Sequence, residues 1–267
     1  MLDRLLNINH ERIAVAELFG AIGSASKTAE YIRMLRGVEE NNRIRALVVD
    51  IDSPGGAVGA SENLYRAIGR IAAKKPAIAF VSGLGASGGY MAACGATKIV
   101  ALPSAIVGSI GVISLRPTLY DLLEKLGVRM DVTKAGRLKD MSYPFREPTP
   151  EEREKDQALV NSFYERFVAM VAEARKLPPE RVRELATGEI FTAEQAKEHG
   201  LVDDLGDLDD AIDTAKSMAK LAERKVTYVR PHRGLRDRLL ANSASSFGEM
   251  VVSAIEGRLR EGRIEYR

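Results

Sequence analysis

The stretch VSGLGASGGYM at residues 81–91 fits two folds with different chemistry. In one register its glycines spell G-x-G-x-x-G at residues 83–88, the turn of a dinucleotide-binding unit. In another they spell G-x-S-x-G at residues 85–89, a sharp turn that carries a nucleophilic serine, here Ser87. A turn built only for the conformational freedom of glycine would need no serine.

The position of this stretch argues against a dinucleotide. A dinucleotide fingerprint opens the first βα unit of its domain, and an acidic residue for the ribose follows about 20 residues later. Here the glycines follow the third predicted strand, and the next acidic residue after Ser87 is Asp121. The sequence therefore predicts no cofactor.

Apolar periodicity on either side of the stretch predicts an α/β fold. Strands at residues 12–19, 44–52 and 77–82 alternate with helices at residues 26–41 and 57–74, and this order predicts a parallel sheet with ligands at the carboxyl ends of its strands. Further expected elements are a helix at 88–95, a strand at 98–102, a helix at 118–126, a strand at 128–133 and a polar loop at 134–150.

The second half of the chain is mostly helical by pattern. Helices are expected at 151–175 with Thr149 as cap, 179–186, 192–199 and 208–222, with an edge strand at 225–229. We expect one domain at residues 1–229, with an α/β core at about 12–149 and a helical part at about 150–229. Residues 230–267 form an amphipathic tail, which we expect to pack on the fold or on a neighbouring subunit rather than on a membrane.

Composition narrows the classes of partner. The 39 basic and 37 acidic side chains leave a net charge of +2, which predicts no nucleic-acid partner. Cys94 is the single cysteine, so an internal disulfide is impossible, and no metal site is predicted. No export signal or apolar span is present in the sequence as it stands, which predicts a cytoplasmic location.

A second glycine loop supports the serine interpretation. DSPGG at residues 52–56 directly follows a predicted strand, and its glycines leave backbone amides free to point into a cleft. One of these amides and that of Gly88 would form an oxyanion hole, the pair of donors that stabilises a tetrahedral intermediate. Ser87 would then stand at a helix N-terminus, where negative charge is favoured.

A nucleophilic serine also needs a base. The histidines are His10, His199 and His232, and none of them lies between the serine loop and the end of the predicted α/β core. A triad in the order serine, acid and histidine could use His199, although this residue resembles a helix terminus. A lysine serves as base when its pKa is lowered. Lys134 and Lys139 lie in the long loop that follows the last predicted strand of the α/β core, and residue spacing does not choose between them.

Several motifs in order resemble the signal peptide peptidase A family, serine peptidases of family S49 and clan SK. They are DSPGG at 52–56, GLGASGGYMAA at 83–93, GSIGVI at 108–113, TKAGRLKDM at 133–141 and FTAEQAKEHGLVDDLG at 191–206. The resemblance extends from about residue 12 to residue 229.

This resemblance implies a ClpP/crotonase-like fold with a Ser/Lys dyad. Ser87 matches the nucleophile and Lys139 the general base, and Ser109 matches the serine that orients the lysine amine. Gly55 and Gly88 match the positions whose amides form the oxyanion hole.

Gly56 is the alternative donor, and Lys134 the alternative base. The resemblance further implies a peptide or unfolded-protein substrate, such as signal-peptide remnants, and a ring-shaped homo-oligomer whose dyad is completed between neighbouring subunits. Members of the family usually carry an N-terminal membrane anchor, so a membrane-associated location through such an anchor or the tail is the alternative to the cytoplasm. The competing functions are a crotonase-like acyl-CoA enzyme and a catalytically silent assembly protein of the same fold.

Overall fold

The computed structural model describes residues 11–23 and 25–231, in which eight strands and eight helices follow one another. The strands are β1 (Arg12–Phe19), β2 (Ile44–Ser53), β3 (Ala77–Ala86), β4 (Lys98–Ala101), β5 (Ile106–Gly108), β6 (Ile190–Thr192), β7 (Asp204–Leu205) and β8 (Val226–Val229). The helices are α1 (Ala25–Glu40), α2 (Val58–Ala72), α3 (Gly88–Ala93), α4 (Tyr120–Lys125), α5 (Pro150–Arg175), α6 (Pro179–Leu185), α7 (Ala193–Glu198) and α8 (Leu208–Met218).

All the strands belong to one sheet, in which β6, β5, β3, β2, β1 and β8 are neighbours in that order. The pairs among β1, β2 and β3 are parallel, and β8 lies parallel to β1 at the edge, as predicted. Only the pair of β5 and β6 is antiparallel in the part of the sheet described. β3 pairs with β4 at residues 78–81 and with β5 at residues 84–86, so it extends to the residue before Ser87.

The sheet is buried on both faces, which explains the continuous apolar run of β2. Leu47, Val49 and Ile51 face the larger core, which is completed by side chains from α1, α2, α3 and α5. Ala46 and Val48 face a smaller core that is covered by α8. Because side chains alternate along a strand, one segment contributes to two cores.

The strand predicted at residues 128–133 is wrong. This segment carries no strand, and Val128, Met130 and Val132 are 42–48% exposed. The alternation of apolar and polar residues has the period of a strand, but a strand forms only where another strand edge satisfies its backbone groups. The sequence also gave no signal for β6 and β7, which are too short to show a period.

The predicted N-terminus of α5 is confirmed by its capping box. The Thr149 side chain accepts a hydrogen bond from the Glu152 amide, and the Glu152 carboxylate accepts one from the Thr149 amide at 2.8 Å. Phe167, Val168 and Val171 in the second half of α5 are buried, whereas Leu159 in the first half is 53% exposed. The first half of α5 therefore extends beyond the core.

The chain divides into a unit that ends at Val229 and a second unit that begins at Arg230. The amphipathic pattern predicted for the tail lies outside the described residues and stays a prediction. Within residues 11–23 and 25–231, no helix combines the length and the apolar character that crossing a bilayer requires.

Candidate active site

Ser87 occupies a strained turn between β3 and α3. Its backbone has φ 50° and ψ −119°, a conformation that residues with a side chain rarely adopt. The turn is held on both sides, because the Ser87 amide donates to the Gly108 carbonyl at 2.8 Å and the Met91 amide donates to the Ser87 carbonyl at 2.9 Å. Strain that the surrounding structure enforces in this way is typical of functional turns.

The two glycine loops pack directly against each other at this turn. Gly55 is buried with φ +87°, and a methyl group on it would lie 2.9 Å from the Ala86 carbonyl oxygen and 3.0 Å from the Ser87 Cβ. A methyl group on Gly88 would lie 3.2 Å from the Gly56 amide nitrogen. The sequence therefore needs glycine at these positions to let the loop after β2 approach the serine turn.

The backbone amides of the two loops differ in whether they already donate a hydrogen bond. The Gly55 amide donates to the Ser53 hydroxyl at 3.1 Å, and this buried hydroxyl donates to the Gly20 carbonyl at 2.7 Å. Gly56 is exposed, and its amide has no hydrogen-bond partner among the residues described. Gly88 is buried, and no residue in the described part of the chain accepts a hydrogen bond from its amide. Two amides beside Ser87, those of Gly56 and Gly88, are thus unoccupied among the residues described.

Ser109 lies close to the serine turn. It directly follows Gly108, whose carbonyl accepts the hydrogen bond from the Ser87 amide. Its own backbone has φ +50°, and its amide donates to the Glu189 carbonyl at 2.6 Å. β6 therefore supports the segment that holds both serines.

The structure separates the two candidate lysines. The Lys134 amine forms an ion pair with Asp140 and donates to the Arg137 carbonyl at 3.1 Å. Lys139 is exposed in a turn closed by its own amide, which donates to the Gly136 carbonyl at 3.1 Å. Across the described residues no hydrogen bond or ion pair engages the Lys139 amine, and none joins it to Ser87 within one chain.

His199 and Cys94 have structural surroundings. His199 ends α7, and its ring packs edge-on against Phe191 with the ring centres 5.2 Å apart. Burial raises the pKa of the Cys94 thiol to about 12, which keeps it protonated and unreactive. His10 and His232 lie outside the described residues. In the described ranges, no group of histidine, cysteine and acidic side chains is arranged to hold a metal ion.

Sequence reasoning missed several polar residues around these loops. Ser53 lies within the DSPGG motif, but the motif was interpreted through its glycines alone, so the hydrogen bonds of the Ser53 hydroxyl were not predicted. Asp140 is buried beside Lys139, and it is bonded to Arg146 at 3.0 Å. The sequence signal for Asp140 was an acidic residue directly after the candidate base Lys139. The sequence signal for Glu152 was its position three residues after the helix cap Thr149.

Comparison with known proteins shows what the chain resembles. The family model "Peptidase family S49" matches residues 70–222, and the model "Clp protease" matches residues 9–107. A relative from Synechocystis sp. that bears a protease name is 43% identical over 216 residues, which cover 81% of this chain and 77% of the relative. "Protease 4" of Salmonella typhi is 34% identical over 254 residues, which cover 92% of this chain. The chain spans 41% of the length of Protease 4 and 63% of a relative from Methanocaldococcus jannaschii.

Solved structures agree on the fold. The 1510-N membrane-bound stomatin-specific protease, in a mutant form with a substrate peptide, superposes with a TM-score of 0.55 at 20% identity, covering 88% of this chain and 98% of that one. A ClpP1 mutant from Listeria monocytogenes has a TM-score of 0.51 at 17% identity, covering 79% and 99%. The expected α/β, ClpP-like fold is confirmed.

Proposed function

The chain belongs to peptidase family S49, and from that membership we propose that it is a serine endopeptidase with a Ser87/Lys139 dyad. The observation that carries the proposal is the serine turn itself. Ser87 is held in a strained conformation at the start of α3, with the unoccupied amides of Gly56 and Gly88 beside it. A serine hydroxyl beside two free amides supports the proposal of a nucleophile and an oxyanion hole at this turn.

The reaction follows from these groups. The neutral Lys139 amine takes the proton of the Ser87 hydroxyl, and the resulting oxygen nucleophile bonds to the peptide carbonyl carbon. The electron pair of the C=O bond moves to oxygen, where the Gly88 amide and an amide of the DSPGG loop stabilise it. Lys139 returns the proton to the leaving amine as the C–N bond breaks, and water then hydrolyses the acyl-enzyme.

Within the DSPGG loop we propose Gly56 as the second oxyanion donor. The family resemblance matched Gly55, but the Gly55 amide is bonded to the Ser53 hydroxyl. A role for Gly55 remains, because its lack of a side chain lets Gly56 approach Gly88. Ser109, one residue from the carbonyl that holds Ser87, is proposed to orient the Lys139 amine.

We propose that the active form is a ring-shaped homo-oligomer. Lys139 is exposed in the single chain, whereas a lysine base requires a neighbouring cation or removal from water to become neutral. Segment 113–143, which carries Lys139, has exposed apolar side chains that another surface would cover. They are Ile113, Leu115, Leu122, Leu126, Val128, Met130, Val132 and Tyr143. Contact with a second copy would bury them and desolvate the lysine.

The proposed substrates are unstructured peptides, among them signal-peptide remnants. A peptide must enter the site extended, because the scissile carbonyl has to reach amides that lie between two loops.

Labelling with a fluorophosphonate probe and cleavage of casein test this function. Wild type should be labelled on Ser87, and both Ser87→Ala and Lys139→Ala should lose cleavage and labelling. Ser104→Ala and Lys155→Ala, at exposed positions, are the matched controls and should behave as wild type. Full activity in either Ser87→Ala or Lys139→Ala would overturn the dyad.

A further inference from the structure

The residues on both sides of Lys139 are tied to the first turn of α5. On one side, the Arg137 guanidinium donates to the Glu151 carboxylate at 2.6 Å. On the other, Asp140 accepts a hydrogen bond from Arg146 at 3.0 Å and pairs with Lys134. Lys139 stands between these attachments, and its amine engages no partner in the part of the chain described.

Arg146 joins two buried carboxylates. Its guanidinium donates to both oxygens of Glu152, at 2.8 and 2.6 Å, while its Nε donates to Asp140. Asp140 is 6% exposed and Glu152 is 2% exposed, although both lie in a surface region of the molecule. Burying a carboxylate is costly unless it is paired, and a forked guanidinium pair fixes geometry as well as charge. We call Asp140, Arg146 and Glu152 the ionic clamp.

Electrostatics keep the clamp charged. The hydrogen bond from Arg146, and then that from Lys134, hold the pKa of Asp140 well below its usual range. Arg146 and the Thr149 amide lower the pKa of Glu152 to about 2. Both carboxylates are therefore ionised at neutral pH.

α5 links the clamp to the nucleophile. Its first turn contains Glu152, and its buried second half, which includes Phe167 and Val171, packs in the core that also contains α3. Ser87 is the N-terminal cap of α3. A 26-residue helix is a stiff element about 39 Å long. α5 is therefore one continuous helix that carries part of the clamp and also contacts the helix that Ser87 caps.

A second attachment makes the same connection. The Arg116 guanidinium donates to the Met141 carbonyl at 2.7 Å and pairs with Asp156 on α5. Met141 lies two residues after Lys139, so the turn is held by its backbone as well as by Asp140. Within the residues described, the ion pair of Arg137, the Arg146 bridge from Asp140 and the Arg116 contact with Met141 all lead to α5, whereas the contacts of Lys134 stay within the loop.

We propose that Asp140, Arg146 and Glu152 are positioning residues, which fix the Lys139 turn on α5 and so set where its amine meets the Ser87 hydroxyl. The inference rests on the proposed function, because that function gives Lys139 its role. It holds whether the amine acts in its own subunit or in a neighbour, since the clamp fixes Lys139 relative to its own α5. A displacement of about 1 Å in a catalytic group costs on the order of 100-fold in rate.

Two substitutions loosen the clamp while keeping the fold. Arg146→Lys keeps the positive charge but cannot donate to both carboxylates in a fork. Glu152→Gln keeps the shape and the capping box, because glutamine also serves at that position of the box, but removes the charge that Arg146 binds. The matched controls are Arg183→Lys and Glu165→Gln, which alter an exposed Arg–Glu pair at 2.9 Å with one member on α5.

The measurement is the second-order rate of fluorophosphonate labelling together with its final stoichiometry. We expect Arg146→Lys and Glu152→Gln to label about 10- to 100-fold more slowly but to reach one probe per chain. For a peptide substrate, kcat should fall by the same factor with KM unchanged. A clamp that serves only folding would instead lower the stoichiometry and leave the rate of the remaining active chains at the wild-type value.

Ser87→Ala and Lys139→Ala in the same series distinguish failure of the positioning role from failure of the proposed dyad. If Lys139→Ala is inactive while both clamp variants label at the wild-type rate, or only at reduced stoichiometry, the positioning role is overturned and the dyad stands. If Lys139→Ala labels as wild type does, the proposed function itself fails.

Discussion

The serine turn and the lysine loop hold their reactive groups by opposite means. At the serine turn (residues 86–89), backbone hydrogen bonds and the close approach of Gly55 and Gly88 fix the partly buried Ser87. In the lysine loop (residues 134–149), charged side chains tie an exposed turn to α5. The position of the proposed nucleophile therefore depends on close packing of the backbone, whereas that of the proposed base depends on the geometry of paired charges.

This difference fits the roles proposed for the two groups. A nucleophile that meets oxyanion donors needs fixed main-chain geometry, which glycine packing supplies. If Lys139 becomes neutral only when a second subunit covers it, it has to lie on a surface of the single chain, where no core holds it. Paired charges can order a surface loop without a hydrophobic core, and that is the arrangement around Lys139.

The largest effect should come from adding a methyl group at the serine turn. We expect Gly55→Ala to lower activity about 100-fold or more, because the methyl group would displace Ser87 and Gly88. Adopting φ +87° should also cost about 1–3 kcal/mol of stability. Gly127→Ala is the control, with φ +68° but open space around it. Peptide cleavage and thermal unfolding check both variants, and equal activity in the two would contradict the role of packing.

A smaller effect is expected from Ser53→Ala. This change removes the hydroxyl that accepts from the Gly55 amide and donates to the Gly20 carbonyl. Leaving the buried Gly55 amide unpaired should cost about 1–3 kcal/mol of unfolding free energy, and activity should fall roughly tenfold as the loop relaxes. Chemical denaturation and labelling rates measure the two, with Ser104→Ala as control. A stability loss with unchanged labelling would show that the loop keeps its place without Ser53.

The same contrast explains which features of the site could be predicted from the sequence. The glycines of both loops can be recognised in the sequence, because a tight turn needs glycine at particular neighbouring positions. The parallel arrangement of β1, β2 and β3 can also be predicted, from the apolar runs of these strands. The choice between the Gly55 and Gly56 amides was not predictable, since it depends on a hydroxyl contact that only the folded loop creates.

In the lysine loop and in the segment just before it, residues 128–133, the sequence is less informative. Val128, Met130 and Val132 suggested a strand where the chain instead exposes them, because pairing depends on a partner that the local pattern does not contain. The choice of Lys139 over Lys134 rested on family resemblance. The structure adds a physical reason, since Lys134 is occupied by Asp140. Ion pairs between residues 6 positions apart, such as Asp140 and Arg146, leave no periodic signal.

Arg137→Lys should have a small effect, which sharpens the contrast within the lysine loop. Its partner Glu151 is partly exposed, and Arg137 itself is 71% exposed, so water and salt screen the pair. We expect labelling to slow by at most about threefold, compared with at least tenfold for Arg146→Lys. The measurement is the labelling rate of both variants at low salt and at molar salt. An Arg137 effect as large as that of Arg146 would show that exposed charge alone orders the loop.

The smallest expected change is in the pH dependence of the clamp. The folded-state pKa of Glu152 is lowered to about 2 by Arg146, below the value of about 4.3 for an unfolded chain. A lowered pKa contributes stability above the unfolded value, and this contribution is lost as the pH falls from there toward the folded value. The difference in melting temperature between wild type and Glu152→Gln should therefore be constant from pH 8 to about pH 5 and shrink below about pH 4. A difference that already shrinks between pH 7 and pH 5 would mean that another group, titrating near neutrality, sets the charge of the lysine loop.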